Sequence, residues 1–412
     1  MKKLLLGTTA LVSAGFVAQN AQAADPIELS IGGYHNWAFF FADNDSNPAT
    51  GTLPAEPGFG LGDHDLKFSG EVQLRGSTVL DNGLEVGVRI EIEGETQGDQ
   101  MDENYAWIEG SFGTFRFGND DPASAQMATA APYLNYVFGA NSATVFVNGM
   151  SQYFARSGAA NNTLRSRFSA GAYATFATFP NQSFDDAQLI YFSPVFNGFQ
   201  FGVSYAPNNT EALPAATYLL PVKAGTAGTS PAFTHGQVYS VAGRYDGSVG
   251  DVGVTVAAGW MRMEDKAVNN APLASTSSEA VDVGLVLYFG NWGVGGSYLS
   301  NDDWHNVAGT DTEAYDLGIA YWSDGAWSAG VYWLHQEIDY TAGNLVAGAN
   351  ITDEIDQYRL MGQYDLGPGV SVTGALGFDQ FDDGVINRTY DTTMVGVGMM
   401  IGRSEERRVG KE

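Results

Sequence analysis

The segment Leu84 to Glu93 reads L-E-V-G-V-R-I-E-I-E, with every second residue apolar and the others charged or glycine. A helix would spread those carboxylates around its circumference, whereas a strand places them all on one face. Leu66, Phe68, Val72 and Leu74 alternate in the same way with Lys67, Ser69, Glu71, Gln73 and Arg75. Between the two runs stands Asp81-Asn82-Gly83, a strong hairpin signal. Similar runs recur over residues 199–205, 252–260, 281–289, 294–299, 315–321, 327–333, 358–364, 370–378 and 395–399. The pattern predicts about sixteen strands joined alternately by short turns and long polar loops.

That alternation of connection lengths narrows the fold to a transmembrane antiparallel β-barrel with short periplasmic turns and long extracellular loops. A soluble, secreted β-protein would show the same period of two, with its apolar face turned to a core. Aromatic placement argues for the membrane instead. Tyr315 and Tyr321, Trp327 and Trp333, Tyr358 and Tyr364, and Trp260 sit near the ends of their runs, where interfacial girdles require them. Beyond the leader, the sequence has no apolar run near the roughly 18 residues of a spanning helix.

The two ends read differently from the middle. Residues 1–23 have Lys2 and Lys3, an apolar stretch and Ala21-Gln22-Ala23, as a secretory signal peptide does. Residues 403–412, RSEERRVGKE, interrupt the last strand pattern and resemble the translation of a sequencing adapter. The barrel is therefore expected to occupy residues 24–402.

Composition excludes several functions. The 412 residues contain no Cys, so thiolate metal sites and a cysteine nucleophile are out. With 19 Lys+Arg against 47 Asp+Glu, the net charge of −28 argues against nucleic acid as a partner. Glu91 and Glu93 as a glycosidase pair, Gly202 to Ala206 as a nucleophile elbow, and Gly58 to Gly62 as a nucleotide loop all lack the required setting. The five His show no metal-ligand spacing, and no enzyme is expected.

Three stretches, Glu103 to Gly118 (ENYAWIEGSFGTFRFG), Ile190 to Gly202 (IYFSPVFNGFQFG) and the Asp81–Gly83 hairpin, resemble the general porins of Gram-negative bacteria, most closely alphaproteobacterial ones. The resemblance implies a sixteen-stranded homotrimer among the lipid and lipopolysaccharide of the outer membrane. It would pass small hydrophilic solutes and ions by diffusion, with the third loop folded into the lumen. The chain departs from the family in lacking the terminal aromatic residue and in its long, weakly charged segment from Asn119 to Asp186.

A diffusion pore needs a narrowing whose charges select solutes. Arg75 and Arg89 each lie about six residues from the Asp81–Gly83 turn, roughly 14 Å up a tilted strand. Facing lipid at that depth would cost about 2–4 kcal/mol each, so both are expected to face the lumen. Arg116, between Phe115 and Phe117, follows by alternation. These arginines, with Glu71 and Glu91, form the candidate constriction wall; the alternative for Arg75 and Arg89 is ordinary wall salt bridging to Glu71 and Glu91. Arg165 and Arg167 are candidate additions. The candidate constriction loop begins at Asp120 and Asp121 and continues through Tyr133, Asn135 and Tyr136; the family resemblance implies that its carboxylates face the arginines across the opening. Clustered acidic residues such as Glu91, Glu93, Asp99, Asp102 and Glu103 suggest a cation-concentrating vestibule or Ca²⁺ ligands. No cofactor is otherwise required. The competing readings are an outer-membrane adhesin and a plugged barrel without open-pore activity.

Overall fold

The computed structural model describes residues 26–44, 64–94, 101–132, 134, 137–138, 186–207, 237–264, 277–303, 309–340, 351–384 and 388–402. The proposed leader, residues 403–412, and Tyr133, Asn135, Tyr136, Arg165 and Arg167 lie outside these described residues.

The strands are β1 (Glu28–Asn44), β2 (His64–Val79), β3 (Glu85–Glu93), β4 (Met101–Gly110), β5 (Gly113–Asn119), β6 (Ala187–Phe192), β7 (Phe199–Ala206) and β8 (Val238–Val249). They continue with β9 (Val252–Met263), β10 (Ser278–Phe289), β11 (Trp292–Asp302), β12 (Thr310–Trp322), β13 (Trp327–Tyr340), β14 (Ile351–Gly367), β15 (Val370–Asp383) and β16 (Arg388–Gly402). Each strand pairs antiparallel with its neighbour in sequence, and β16 pairs with β1 to close the barrel. Among the described residues, a short helix, α1 (Ala123–Met127), follows β5.

Turn chemistry fixes the hairpins. Asn197 and Gly198 both have positive φ (51° and 87°), the geometry that matches the twist of a two-residue hairpin loop. Gly83 (φ 79°) closes the turn that begins at Asp81, and Gly83 N donates to Leu80 O.

The period of two sorts side chains between two surfaces. Leu66, Phe68, Val72, Val88, Phe115, Phe117, Val331 and Leu360 are exposed on the outer face, where a bilayer supplies their apolar surroundings. Trp292, Tyr321 and Trp327 form a chain of outward rings near the short-turn end, with centroids 4.8 and 5.2 Å apart. Tyr298, Tyr315 and Trp333 form another toward the long-loop end. Because Leu360 sits at mid-strand between outward Val331 and Leu376, Leu360→Arg is expected to destabilise the barrel by about 2–4 kcal/mol. The denaturant midpoint of protein refolded in vesicles checks this; an unchanged midpoint would place Leu360 away from lipid.

Candidate functional site

The inward faces of β2 to β5 carry the arginines and glutamates singled out in the sequence. Arg75 on β2 lies directly opposite Arg89 on β3, and Arg89 in turn pairs with Tyr105 on β4. Trp107 on β4 pairs with Arg116 on β5. All three arginines therefore share the lumen face. Arg89 is ion-paired with Glu91 and lies 3.8 Å from Glu103. Arg75 reaches Glu85 at 4.0 Å. Glu71 accepts hydrogen bonds from Gln73 Nε2 (2.6 Å) and Tyr34 Oη (3.5 Å).

A β-bulge concentrates acid here. Ile90 pairs with Asn104 and Ile92 with Met101, so β4 carries one extra residue. Asp102 and Glu103 both oppose Glu91 as a result. Carboxylate oxygens of Glu71, Glu91 and Asp102 come within 4.8 Å of one another. Three converging hard oxygens suit a divalent cation, although Arg89 already neutralises Glu91.

The segment after β5 turns inward immediately. Arg116 Nη1 donates to Asp120 Oδ2 and to Gln126 Oε1, both at 2.9 Å. Gln126 Nε2 donates to the Asp121 carbonyl, and Gln188 Nε2 to that of Asp120. Asp120 is thus bonded to Arg116 and does not face that arginine across an opening. Burial pushes the Asp120 carboxyl above its ordinary range, and the Arg116 guanidinium pulls it back.

From there the segment is fastened along the inner wall. Ala123 N donates to Ser204 Oγ on β7 (3.2 Å), and Ser124 N to Ser240 Oγ on β8 (2.8 Å). Arg244 on β8 donates to the carbonyls of Met127 (3.3 Å) and Ala128 (2.9 Å), while Asp246 holds its guanidinium at 2.6 and 3.0 Å. Asp316 on β12 accepts from Ala131 N at 3.1 and 3.2 Å, and from Ser297 N (2.6 Å) and Ser297 Oγ (2.8 Å).

Inward-facing glycines make this close approach feasible. A Cβ on Gly202 would meet Met127 Sδ at 2.5 Å, one on Gly318 would meet Ala131 Cβ at 3.0 Å, and one on Gly396 would meet Phe138 at 2.6 Å. At Gly284 it would collide with the Thr129 carbonyl. Van der Waals packing on bare backbone replaces side-chain contact, and the segment reaches from β5 round to β16 and β1. Ala123, Met127, Ile190, Phe192 and Ala242 form the apolar cluster that seats α1.

Arg244 and Asp316 carry this seating, and neither stood out in the sequence. The only signal for Asp316 was a lone charge at an inward position between small or apolar neighbours, and for Arg244 an opposite charge, Asp246, two residues on along the same face. Tyr105 and Trp107 lay inside the recognised Glu103–Gly118 stretch without an assigned role.

An apolar exterior, a charged interior and a segment seated along the inner wall define an outer-membrane channel protein. The chain belongs to the Gram-negative porin family, whose model matches residues 7–384. Among solved structures, it resembles the anion-selective porin from Comamonas acidovorans at 17% identity and TM-score 0.54, covering 92% of this chain and 100% of that one. It also resembles the outer-membrane channel DcaP of Acinetobacter baumannii at 11% identity and TM-score 0.56, covering 92% and 97%. The trimer form of OmpT, an outer membrane protein of Vibrio cholerae, aligns at 12% identity and TM-score 0.54, covering 91% and 99%. No curated protein matches the sequence. The protein is an outer-membrane porin for passive diffusion of small hydrophilic solutes.

Proposed function

We propose that the channel is narrowest between the seated segment and the β2–β5 wall, and that it prefers cations. The observation carrying the preference is the charge count of that wall. Asp65, Glu71, Glu85, Glu91, Glu93, Asp102, Glu103 and Glu109 stand against Lys67, Arg75, Arg89 and Arg116, each arginine within ion-pair reach of a carboxylate. A wall with surplus negative charge concentrates cations. The acidic excess of the whole chain acts in the same direction.

In this reading the protein is exported by its leader, works as a homotrimer among outer-membrane lipid and lipopolysaccharide, and catalyses no reaction. Calcium enters only as a ligand of Glu71, Glu91 and Asp102, in competition with Arg89. Millimolar Ca²⁺ is then expected to lower the cation preference, and a chelator to restore it.

Planar-bilayer recording under a KCl gradient tests the proposal. Conductance in steps of three with a cation-selective reversal potential supports it. Anion preference would transfer control to Arg75, Arg89 and Arg116. A folded barrel without conductance would return the plugged-barrel or adhesin reading.

A further inference from the structure

A pair of aromatic rings faces inward at the short-turn end of the barrel. Tyr288 stands next to last on β10 and Trp322 last on β12, on the same inward face as Gly284 and Asp316. Aromatic girdles belong to the outward face, where the rings meet lipid headgroups. These two rings have no lipid to meet. Both are half-buried, and their centroids lie 6.2 Å apart with the planes inclined at 41°.

Gly293 on β11 lets both rings lie down. It pairs with Tyr288 on one side and, on the other, with Ala320, the inward residue before Trp322. A Cβ on Gly293 would stand 2.9 Å from Trp322 Cζ3 and 3.2 Å from Tyr288 Cε1. The rings therefore roof the bare backbone of β11 and turn a face each toward the bore. Gly253 on β9 pairs with Tyr288 from the far side and adds no side chain there. The charges around the rings are mostly of one sign. Asp251 and Asp324 are exposed on neighbouring turns, with Asp324 Oδ1 accepting from Asn291 Nδ2. Strands β9 to β13 carry a single Lys or Arg, Arg262, at the far, long-loop end of β9. Arg244 on β8 has a side chain only 8% exposed and is bound to Asp246.

We propose that Tyr288 and Trp322 form a contact site for organic ammonium ions at the periplasmic mouth. Indole and phenol faces attract a cation through their quadrupoles, and the methyl groups of a quaternary ammonium suit the same apolar surface. Such an ion is weakly hydrated, so it gives up little water to lie against the rings. Asp251 and Asp324 raise its local concentration on the periplasmic side. The proposal needs an open channel but goes beyond the cation preference, whose wall lies on β2 to β5.

The test uses the full-length porin in planar bilayers, with choline as probe and its uncharged carbon analogue 3,3-dimethyl-1-butanol as control. Each is read as block of the KCl current from either side. Choline is expected to block at lower concentration from the periplasmic side. Trp322→Leu and Tyr288→Leu should each raise the half-blocking choline concentration about two- to fivefold, the span of an exposed cation–π contact, and leave the alcohol unchanged. Trp322→Phe should recover part of the loss, and the tyrosine variant serves if the tryptophan variant does not fold. Choline block unchanged in both leucine variants would overturn the inference. Equal loss for choline and the alcohol would mean a change of bore and would overturn it as well. Ring-dependent choline block in a channel with an anion-selective reversal potential would uphold the site and overturn the cation preference alone. Ring-independent block in a cation-selective channel would do the reverse, and a folded barrel without conductance would overturn both.

Discussion

Asp316→Ala is expected to turn a steady open channel into a flickering one. The carboxylate accepts from Ala131 N, Ser297 N and Ser297 Oγ at 2.6–3.2 Å and is almost fully buried. Its removal strands three donors, each costing about 1–3 kcal/mol when buried without a partner. The strand can relax around Ser297, but Ala131 sits on a loop segment whose seat is partly made of such bonds. That segment would then leave the wall for part of the time and obstruct the bore. Single-channel recording should show frequent sub-millisecond closures, and added protease should cleave the segment faster. Asp316→Asn keeps one acceptor oxygen and should lie between the two. Gly284→Ala approaches the same result from the opposite side, because its methyl group collides with Thr129. Steady currents in both Asp316→Ala and Gly284→Ala would show that the seating does not control the bore.

The second large effect is on selectivity. Converting Arg75, Arg89 and Arg116 together to glutamine should raise the K⁺/Cl⁻ permeability ratio by about tenfold at 0.1 M salt. A unit charge a few ångströms from an ion in a watery bore is worth about 1 kcal/mol before screening. Each arginine has a carboxylate partner that cancels most of this effect, and the remainder, screened over a Debye length of about 10 Å, leaves about that factor. At 1 M salt the Debye length falls to about 3 Å and the change should shrink severalfold. Arg75→Gln alone should account for a disproportionate share, since Arg75 is the most exposed of the three. Reversal potentials at the two salt concentrations check both statements. A ratio independent of all three arginines would place selection elsewhere in the channel.

The sequence made most of the barrel legible because the period of two records a contrast between lipid outside and water inside. Where that contrast fails, the pattern fails with it. β1 and β8 contain no clear alternating run. Their inward positions include Ala38, Phe40 and Ala42, and Val238 and Ala242, all apolar and buried. Phe40 packs where Phe138 approaches Gly396, and Ala242 belongs to the cluster around α1. Both inward faces meet protein in place of water. The arginines were readable for the same reason that β2, β3 and β5 were: a charge amid lipid-facing residues can point only one way. Of their partners only Glu91 was, two residues from Arg89 on the same face. Arg75 meets Glu85 and Trp107 through a cross-strand register that spacing along one strand does not encode. Asp120 bonds to Arg116 because the chain reverses at the end of β5, a local bend that no periodicity announces.

The hydrogen bonds between β1 and β16, from Tyr34 opposite Gly402 to Asn44 opposite Thr392, have a kinetic consequence. Every other neighbouring pair is joined by its own connection, so hairpins can form and grow locally. The closing seam brings together residues some 350 positions apart, for which the loop-closure entropy is on the order of 5 kcal/mol. The seam should be the last contact made and the first lost. Until it forms, the sheet carries two bare edges, each able to pair with the edge of another copy. The most dangerous moment for this chain is therefore the nearly finished one, when fifteen of its sixteen pairings are in place and the last can be made with the wrong molecule.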